Sequence, residues 1–184
     1  MEQGLNSVTD KNIKSIILGT FPSIKSRQEC YYNHEKNLFW TIIAATLNNS
    51  KPLITKEERY DCLLKNHIGL WDVIKQCEFE TKSSLDSKII KDSIIFNDFN
   101  ALKENCPHLR FFIFSSRNAE TLFKRYMRQL SENSTLKQWL VCSITYIVLP
   151  STSPANARLN AEEKLKLWQM ALYNIKKSIN PQTS

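Results

Sequence analysis

The amino-acid sequence predicts an α/β fold in which helices cover both faces of a parallel β-sheet. Segments rich in β-branched and aromatic residues alternate with segments in which apolar residues recur at helical spacing. One strand-like segment, residues 110–114, is apolar almost throughout, which is typical of a central strand buried on both faces. With 184 residues, the chain can bury a substantial core. We therefore expect a single domain over residues 1–184.

The first half of the chain is expected to contain two strands and two helices. An apolar run at residues 13–18 predicts the first strand, which Gly19 and Pro22 end. Helical spacing of apolar residues predicts one helix that starts near Asn37 and another over residues 56–66. Residues 69–74 have the composition of a second strand. Residues 1–12 are polar, and we expect a loose arm there and a loose tail at residues 180–184.

The second half continues the alternation. Cap residues ahead of apolar positions predict a helix over residues 98–105, which Pro107 ends. The strand at residues 110–114 precedes a predicted helix over residues 118–130, and a further strand at residues 144–149 stops at Pro150. The last helix is predicted over residues 161–179, because Leu165, Trp168 and Leu172 share one face. We expect a ligand to bind beyond the carboxyl ends of these strands.

The charge of the chain favours an anionic partner. The formal net charge is +7, and nucleic acid is the commonest anionic partner of basic proteins. The alternative is that the lysines only form solvent-exposed faces, as Lys164, Lys166, Lys176 and Lys177 can do on the last helix. The three glycines are too far apart to form a glycine-rich phosphate loop, which argues against nucleotide-cofactor folds.

The cysteine pattern and the hydropathy exclude other classes. Five cysteines are spaced widely and irregularly, unlike the ligands of a zinc or iron–sulfur site, so we expect reduced thiols, no metal and no cofactor. The sequence has no apolar stretch long enough to cross a bilayer, and its first residues lack the features of a signal peptide. We expect a cytoplasmic monomer that does not bind membranes.

The loop after the first predicted strand combines aromatic and polar side chains. Rings such as Tyr31 and Tyr32 can stack on a planar base, and amides such as Asn33 and Asn37 can hydrogen-bond its edges. Both tyrosines fit a structural role equally well. His34 is either a proton donor or a structural hydrogen-bonding group. The aromatic residues at positions 39 and 40 begin the apolar face of a helix and are assigned to the core.

Two other segments place polar groups after strands. Asp72 ends a strand-like run, where it caps a neighbouring loop or accepts a hydrogen bond from a ligand. Ser151, Thr152 and Ser153 lie between two prolines, and the hydroxyl and N–H groups of such a stiff loop, with Asn156 beside them, suit phosphate binding. The alternative is a strand-to-helix turn in which serine and threonine act as caps.

These segments together resemble the uracil-DNA glycosylase superfamily, and most closely its hypoxanthine-DNA (deoxyinosine) glycosylase branch. The branch pattern is a strand ending in Gly-x-x-Pro, followed by Tyr-Tyr-x-His-x-x-Asn-x-Phe-Trp, Leu-Trp-Asp-Val, Ser-Leu-Asp-Ser, Asn-Asp-Phe and Leu-Pro-Ser-Thr-Ser-Pro-Ala. In this chain the six segments are residues 19–22, 31–40, 70–73, 84–87, 97–99 and 149–155. They cover nearly the whole chain in the same order.

The resemblance implies a three-layer α/β/α sandwich on a four-stranded parallel sheet. It also implies the excision of a deaminated base, hypoxanthine and also uracil, from DNA in base excision repair. The target base must leave the stack, and Tyr32 is by resemblance the residue that stacks on it. Bond cleavage places positive character on the sugar and negative charge on the base. The implied water-positioning residue is Asn37, an amide that orients water without acting as a strong base.

Two positions depart from the wider superfamily, and a third departs from the branch itself. Phe21 stands where many superfamily members have Asp or Asn after the first glycine, and Leu149 stands where the superfamily's second motif commonly begins with His or Asn. Ser115 follows the third strand, where relatives often have an Asn. We expect Phe21, Tyr32, Asp72 and Ser115 to surround the base.

Because of these departures, the sequence does not decide which groups donate hydrogen bonds to the departing base. The candidates are backbone N–H groups near Phe21 and Ser23, or a protonated Asp72. The hydroxyls of Ser151, Thr152 and Ser153 would bind phosphates of the DNA backbone. Two alternatives are a non-catalytic relative that only binds nucleic acid and a hydrolase of free nucleosides.

Overall fold

A computed structural model describes residues 1–81 and 86–179. Its strands are β1 (Glu2–Gln3), β2 (Ser15–Gly19), β3 (Ile68–Asp72), β4 (Ile74–Cys77), β5 (Ile95–Phe96), β6 (Phe111–Phe114) and β7 (Thr145–Val148). Its helices are α1 (Ile24–Gln28), α2 (Phe39–Leu47), α3 (Lys56–Lys65), α4 (Phe99–Asn105), α5 (Arg117–Gln129), α6 (Thr135–Cys142) and α7 (Ala161–Ile179). Among the described helices, none is both long and apolar enough to cross a membrane.

A four-stranded sheet forms the centre of the fold. Its strands are all parallel, in the order β3-β2-β6-β7. Ile17 and Ile113 point to one face, where they pack with residues of α2, α3 and α7. Ile16, Leu18 and Phe112 point to the other face and pack with residues of α4, α5 and α6. Helices therefore cover both faces, which confirms the expected three-layer α/β/α sandwich.

The register of the sheet brings the carboxyl ends of β3, β2 and β6 together at one edge. Gly19 is level with Asp72 across β2 and β3, and Leu18 is level with Phe114 across β2 and β6. Ser115, the residue after β6, donates its N–H to the Leu18 carbonyl at 2.9 Å. Candidate groups from separate strands therefore lie beside one another.

The expectation of a loose arm over residues 1–12 is wrong. Strand β1 pairs antiparallel with β4, which also pairs with β5 in a small second sheet. Val8 forms an antiparallel bridge with Leu70. The buried Tyr31 hydroxyl donates to the Leu5 carbonyl at 3.1 Å. Contacts with distant segments order this polar segment, and local composition does not reveal them.

Most of the predicted elements are present with small shifts at their ends. The last helix has the predicted bounds, and the helices predicted over 98–105 and 118–130 begin one residue away from the expected position. The second sheet and the helices α1 and α6 were not predicted. Residues 84 and 85 of the fourth quoted motif, and the tail at 180–184, lie outside the described residues.

Candidate functional site

Four residues from separate segments meet at the carboxyl edge of the sheet. A Cβ atom on Gly19 would lie 2.2 Å from Asp72 Oδ1 and 3.2 Å from the Tyr32 hydroxyl oxygen. That hydroxyl donates to Ser115 Oγ at 2.9 Å. Gly19 is therefore the residue whose missing side chain allows these groups to converge. We call Gly19, Tyr32, Asp72 and Ser115 the strand-end cluster.

Tyr32 is held in an uncommon conformation. Its φ angle is 55°, in the left-handed region that residues with a side chain rarely adopt. Its ring stacks on Phe39 with 3.9 Å between centroids and 16° between planes. The carbonyl of Tyr31, the residue before Tyr32, accepts a hydrogen bond from the Trp40 indole N–H at 2.7 Å. Such local strain persists where surrounding contacts enforce it, as at binding sites.

Asp72 is a buried carboxyl group that lacks a full set of partners. The residue is 3% exposed, and among the described residues its Oδ2 has no hydrogen-bond partner. Burial raises the pKa of Asp72 well above its ordinary value, and the nearby charge of Asp86 raises it further. The neutral acid is thus favoured, and it has a proton to donate. The Asn97 amide fixes the backbone here by donating to the Asp72 carbonyl at 2.8 Å.

Asp86 is a second acidic residue near the strand-end cluster, and sequence reasoning assigned it no role. Its Oδ2 accepts a hydrogen bond from Asn118 Nδ2 at 2.8 Å. Burial raises the pKa of Asp86, although hydrogen bonds from Asn118 and Thr20 oppose the shift. The quoted Ser-Leu-Asp-Ser motif contained this residue and was the available signal. The charge of Asp86 favours the neutral form of Asp72. The pKa of Tyr32 is raised mainly by burial, then by Asp72, and to a smaller extent by Asp86.

Phe21 and Leu149 are both buried against neighbouring side chains. The Phe21 ring lies 5.9 Å from the Phe79 ring, and the Arg27 guanidinium lies 5.3 Å from its centroid. Leu149 is 7% exposed and belongs to the core cluster on the α2 side of the sheet. Leu149 therefore fills the core of the protein.

Asn37 lines a cleft of about 400 Å³ that lies next to the strand-end cluster. The cleft is lined by residues 32–35 and Asn37, by α2, by loop residues between α2 and α3, and by Arg59 of α3. Tyr32 belongs both to its wall and to the strand-end cluster. Asn37 Oδ1 accepts the Phe39 N–H at 3.0 Å, which leaves a second lone pair on that oxygen. His34 also lines the cleft, and its Nδ1 accepts the Lys36 N–H at 3.2 Å.

The loop after β7 is tied to the Asn37 segment. The Thr152 carbonyl accepts the Leu38 N–H at 3.2 Å. The Ser151 and Ser153 hydroxyl oxygens accept backbone N–H groups at 3.2 and 3.3 Å, and the Asn156 amide donates to the Ser151 carbonyl at 3.2 Å. Each serine hydroxyl still has a hydrogen to donate, so this turn geometry is compatible with both the capping and the phosphate-binding interpretations.

Lys164 packs beneath this loop, so the alternative that the lysines of the last helix only form a solvent-exposed face is wrong for Lys164. It is 3% exposed, whereas Lys166, Lys176 and Lys177 are exposed as expected. Its Nζ donates to the Asn156 carbonyl at 2.7 Å. The spacing offered a signal, since Lys164 precedes Trp168 and Leu172 on the buried face at intervals of four residues.

Within the described ranges, no group of three or more His, Cys, Asp or Glu side chains is arranged to hold a metal ion. All five cysteines are free thiols, and Cys142 is the exposed one.

The buried carboxyl of Asp72 makes a prediction about stability. Its pKa is higher in the folded than in the unfolded chain, so its contribution is fully present below about pH 4 and is lost as pH rises through the folded-state pKa. Asp72→Asn, which resembles the neutral acid, should remove that loss and raise the free energy of unfolding at pH 8 by about 1 kcal/mol or more.

Urea unfolding of both proteins between pH 5 and pH 8 would measure this difference. The wild-type curve should fall more steeply with pH than the Asp72→Asn curve. Parallel curves would show that the Asp72 carboxyl has an ordinary pKa.

The chain is similar to proteins named hypoxanthine DNA glycosylase. One, from Methanosarcina acetivorans, is 34% identical over 170 residues, which are 92% of this chain and 96% of the relative. Another, from Methanosarcina barkeri, is 33% identical over 119 residues, which are 64% of this chain and 73% of the relative. No protein-family model matches the chain.

A solved structure has a similar fold. It is the solution NMR structure of a candidate uracil DNA glycosylase from Methanosarcina acetivorans, with a TM-score of 0.67 and 32% sequence identity. The similarity covers 93% of this chain and 98% of the NMR chain. The same layered arrangement therefore extends over nearly the whole length of both proteins.

Proposed function

The chain belongs to the hypoxanthine DNA glycosylase family, and from this premise we propose that it hydrolyses the N-glycosidic bond of hypoxanthine in DNA, the first step of base excision repair. The observation that carries the proposal is the strand-end cluster, which shares Tyr32 with the cleft that Asn37 lines. The net charge of +7 suits the DNA substrate.

Recognition begins with a base that has left the duplex. Flipping a nucleotide costs a few kcal/mol, which the site must offset with stacking and hydrogen bonds. Tyr32 supplies the stacking surface, and Phe39 supports its ring from behind at 3.9 Å. The hydrogen bond from the Tyr32 hydroxyl to Ser115 already fixes the ring, so binding the base costs little further conformational entropy at this side chain. The Ser115 hydroxyl keeps its own hydrogen for an acceptor on the purine edge.

The nucleophile is a water molecule that Asn37 positions. As the glycosidic bond breaks, the sugar gains oxocarbenium character and the electron pair goes to the base. The second lone pair of Asn37 Oδ1 accepts a hydrogen bond from the water, and the amide dipole stabilises the sugar cation. The Phe39 N–H holds the amide in place at 3.0 Å, so little order is lost in the transition state.

The departing base needs a hydrogen-bond donor. Neutral Asp72 can supply one, because burial raises the pKa of its carboxyl group and so favours the protonated form, and its Oδ2 lacks a partner among the described residues. As the bond between C1′ and the base nitrogen breaks, the oxygen of the water bonds to C1′ and keeps one proton as the new hydroxyl group. The base takes a proton from Asp72, and the other proton of the water passes to solvent, from which Asp72 is reprotonated. The net reaction is hydrolysis without a cofactor.

A panel of substrates tests the proposed base and the two alternatives. Labelled duplexes with one inosine or one uracil are incubated with excess protein, and abasic sites are then cleaved with alkali. Strand cleavage at inosine is the expected result, with slower or no cleavage at uracil. Binding of both duplexes without cleavage would instead favour a non-catalytic relative, and turnover of free inosine alone would favour a nucleosidase.

Substitutions of Tyr32 test the stacking role. Tyr32→Phe keeps the ring and loses only the hydrogen bond to Ser115, so the excision rate should fall by about threefold to tenfold. Tyr32→Ala removes the stacking surface, which contributes about 1–3 kcal/mol per base, and should weaken substrate binding by tenfold or more. Single-turnover rates measured over a range of protein concentrations separate the two effects. Equal behaviour of Tyr32→Ala and wild type would refute the stacking role.

A further inference from the structure

Lys164 is a buried lysine with no carboxylate partner in the described part of the chain. None of the ion pairs formed within residues 1–81 and 86–179 includes it. Its Nζ contacts main-chain carbonyls, of Asn156 at 2.7 Å and of Ser153 at 3.5 Å. Carbonyl oxygens satisfy the donors of an ammonium group but do not neutralise its charge. A buried charge left in this state is costly without an anion.

The position of Lys164 in α7 increases this cost. It lies in the first turn, at the positive end of the helix dipole, where a cation is unfavourable. Glu163 accepts the Asn160 N–H at 2.8 Å as a helix cap and forms no ion pair with Lys164 among the described residues. The helix dipole and the Lys164 ammonium group are both positive at this end of α7, which favours an anionic ligand in contact with Lys164.

The loop above Lys164 provides a second indication of a ligand. Thr152 is 1% exposed, and its Oγ1 has no hydrogen-bond partner among the described residues. A buried hydroxyl without a partner is rare in folded proteins, and an oxygen of a bound anion would satisfy it. The Thr152 carbonyl is bonded to the Leu38 N–H, next to Asn37. An anion held by this loop therefore lies close to the proposed site of bond cleavage.

Lys164 also changes what the loop presents to an anion. The carbonyls of Ser153 and Asn156 would repel a phosphate, but both are turned to the Lys164 ammonium group. The hydroxyl hydrogens of Ser151 and Ser153 remain available, because their oxygens act as acceptors within the loop. Hydroxyl donors with a cation beneath them are typical contacts of a phosphodiester.

We propose that Lys164 is the buried cation of a subsite for one DNA backbone phosphate beside the flipped nucleotide, with Ser151, Thr152 and Ser153 as its hydroxyl groups. This inference rests on the proposed function, since the anion is a phosphodiester of the substrate. Lys164 acts as a positioning residue. It holds the loop and attracts the phosphate, and it does not touch the reacting atoms.

A charge-deletion cycle between protein and DNA tests the subsite. The DNA carries 2′-fluorinated deoxyinosine, which resists hydrolysis because fluorine destabilises the sugar cation. Each phosphate that flanks this nucleotide is replaced in turn by a neutral methylphosphonate, and dissociation constants are measured for wild type, Lys164→Met and the exposed control Lys166→Met. At one of the flanking phosphates, replacement by methylphosphonate should lower the affinity of wild type and of Lys166→Met by about tenfold. The same replacement should lower the affinity of Lys164→Met by less than about twofold.

Equal losses for wild type and Lys164→Met at every flanking position would overturn the subsite, because a merely structural lysine weakens binding of all duplexes alike. If Lys164→Met does not fold, Lys164→Gln, which keeps a donor, is measured in its place with the same two outcomes. Excision of hypoxanthine from the unmodified duplex by wild type is measured separately. Its absence would refute the proposed function, whereas equal losses with normal excision would refute only the role of Lys164.

Discussion

Asn37→Ala should lower the single-turnover rate of hypoxanthine release by about 100- to 1,000-fold, because preorganised groups that stabilise developing charge contribute on this order. Binding of the substrate duplex should change little, since stacking and phosphate contacts remain. The lost hydrogen bond to the Phe39 N–H should cost about 1 kcal/mol of stability, as other side-chain bonds of this kind do. Release of free hypoxanthine with excess protein measures the rate, and thermal unfolding verifies the fold.

Asn33→Ala is the matched control for Asn37→Ala. Asn33 is another amide of the same cleft, but its Oδ1 is engaged by the Arg59 guanidinium at 3.0 Å. Removal of the Asn33 side chain should affect stability more than catalysis. The single-turnover excision rate at saturating protein should stay within about threefold of wild type. A folded Asn37→Ala protein that excises at the wild-type rate would refute the assignment of the water-positioning role.

Gly19→Ala should abolish detectable excision and destabilise the protein. The new Cβ would lie 2.2 Å from Asp72 Oδ1 and 3.2 Å from the Tyr32 hydroxyl oxygen, so both groups must move. Asp72 is 3% exposed and has little room to do so. Overpacking of this kind costs about 1–3 kcal/mol, and displacement of the acid and the stacking ring from the base should remove activity.

The double variant Gly19→Ala/Asp72→Ala separates the two effects. Removing the carboxyl group relieves the closest contact, so urea unfolding should show recovery of part of the lost stability. Excision should stay low, because Asp72 is the proposed donor to the departing base. A Gly19→Ala protein that is as stable and as active as wild type would show that the strand-end cluster does not form the site.

The sheet and its covering helices could be predicted because their patterns are local. The apolar run at residues 110–114 marks a buried central strand, and the spacing of Trp168 and Leu172 marks the inner face of α7. Helix α6 was missed although Ser134 and the pair Leu136 and Leu140 offered a cap and an apolar face. The order of residues 1–12 had no local signal, since it depends on pairing with β4 and Leu70.

The candidate site was predictable in composition and not in geometry. The motif pattern selected Tyr32, Asp72 and Ser115, and the parallel register brings them together over Gly19. The motif pattern did not reveal that burial would favour the neutral form of Asp72. It also did not reveal that Lys164 would lie under the loop after β7, because its hydrogen bonds are to main-chain carbonyls that sequence patterns do not specify.

The most direct test of the central claim is the release of free base from DNA. A duplex with one inosine is incubated with excess protein, and the solution is analysed for hypoxanthine by chromatography. We expect stoichiometric hypoxanthine and an equal amount of abasic DNA with wild type, and about 100-fold slower release with Asn37→Ala. An intact inosine duplex after prolonged incubation with folded wild-type protein that binds it would contradict the proposed function.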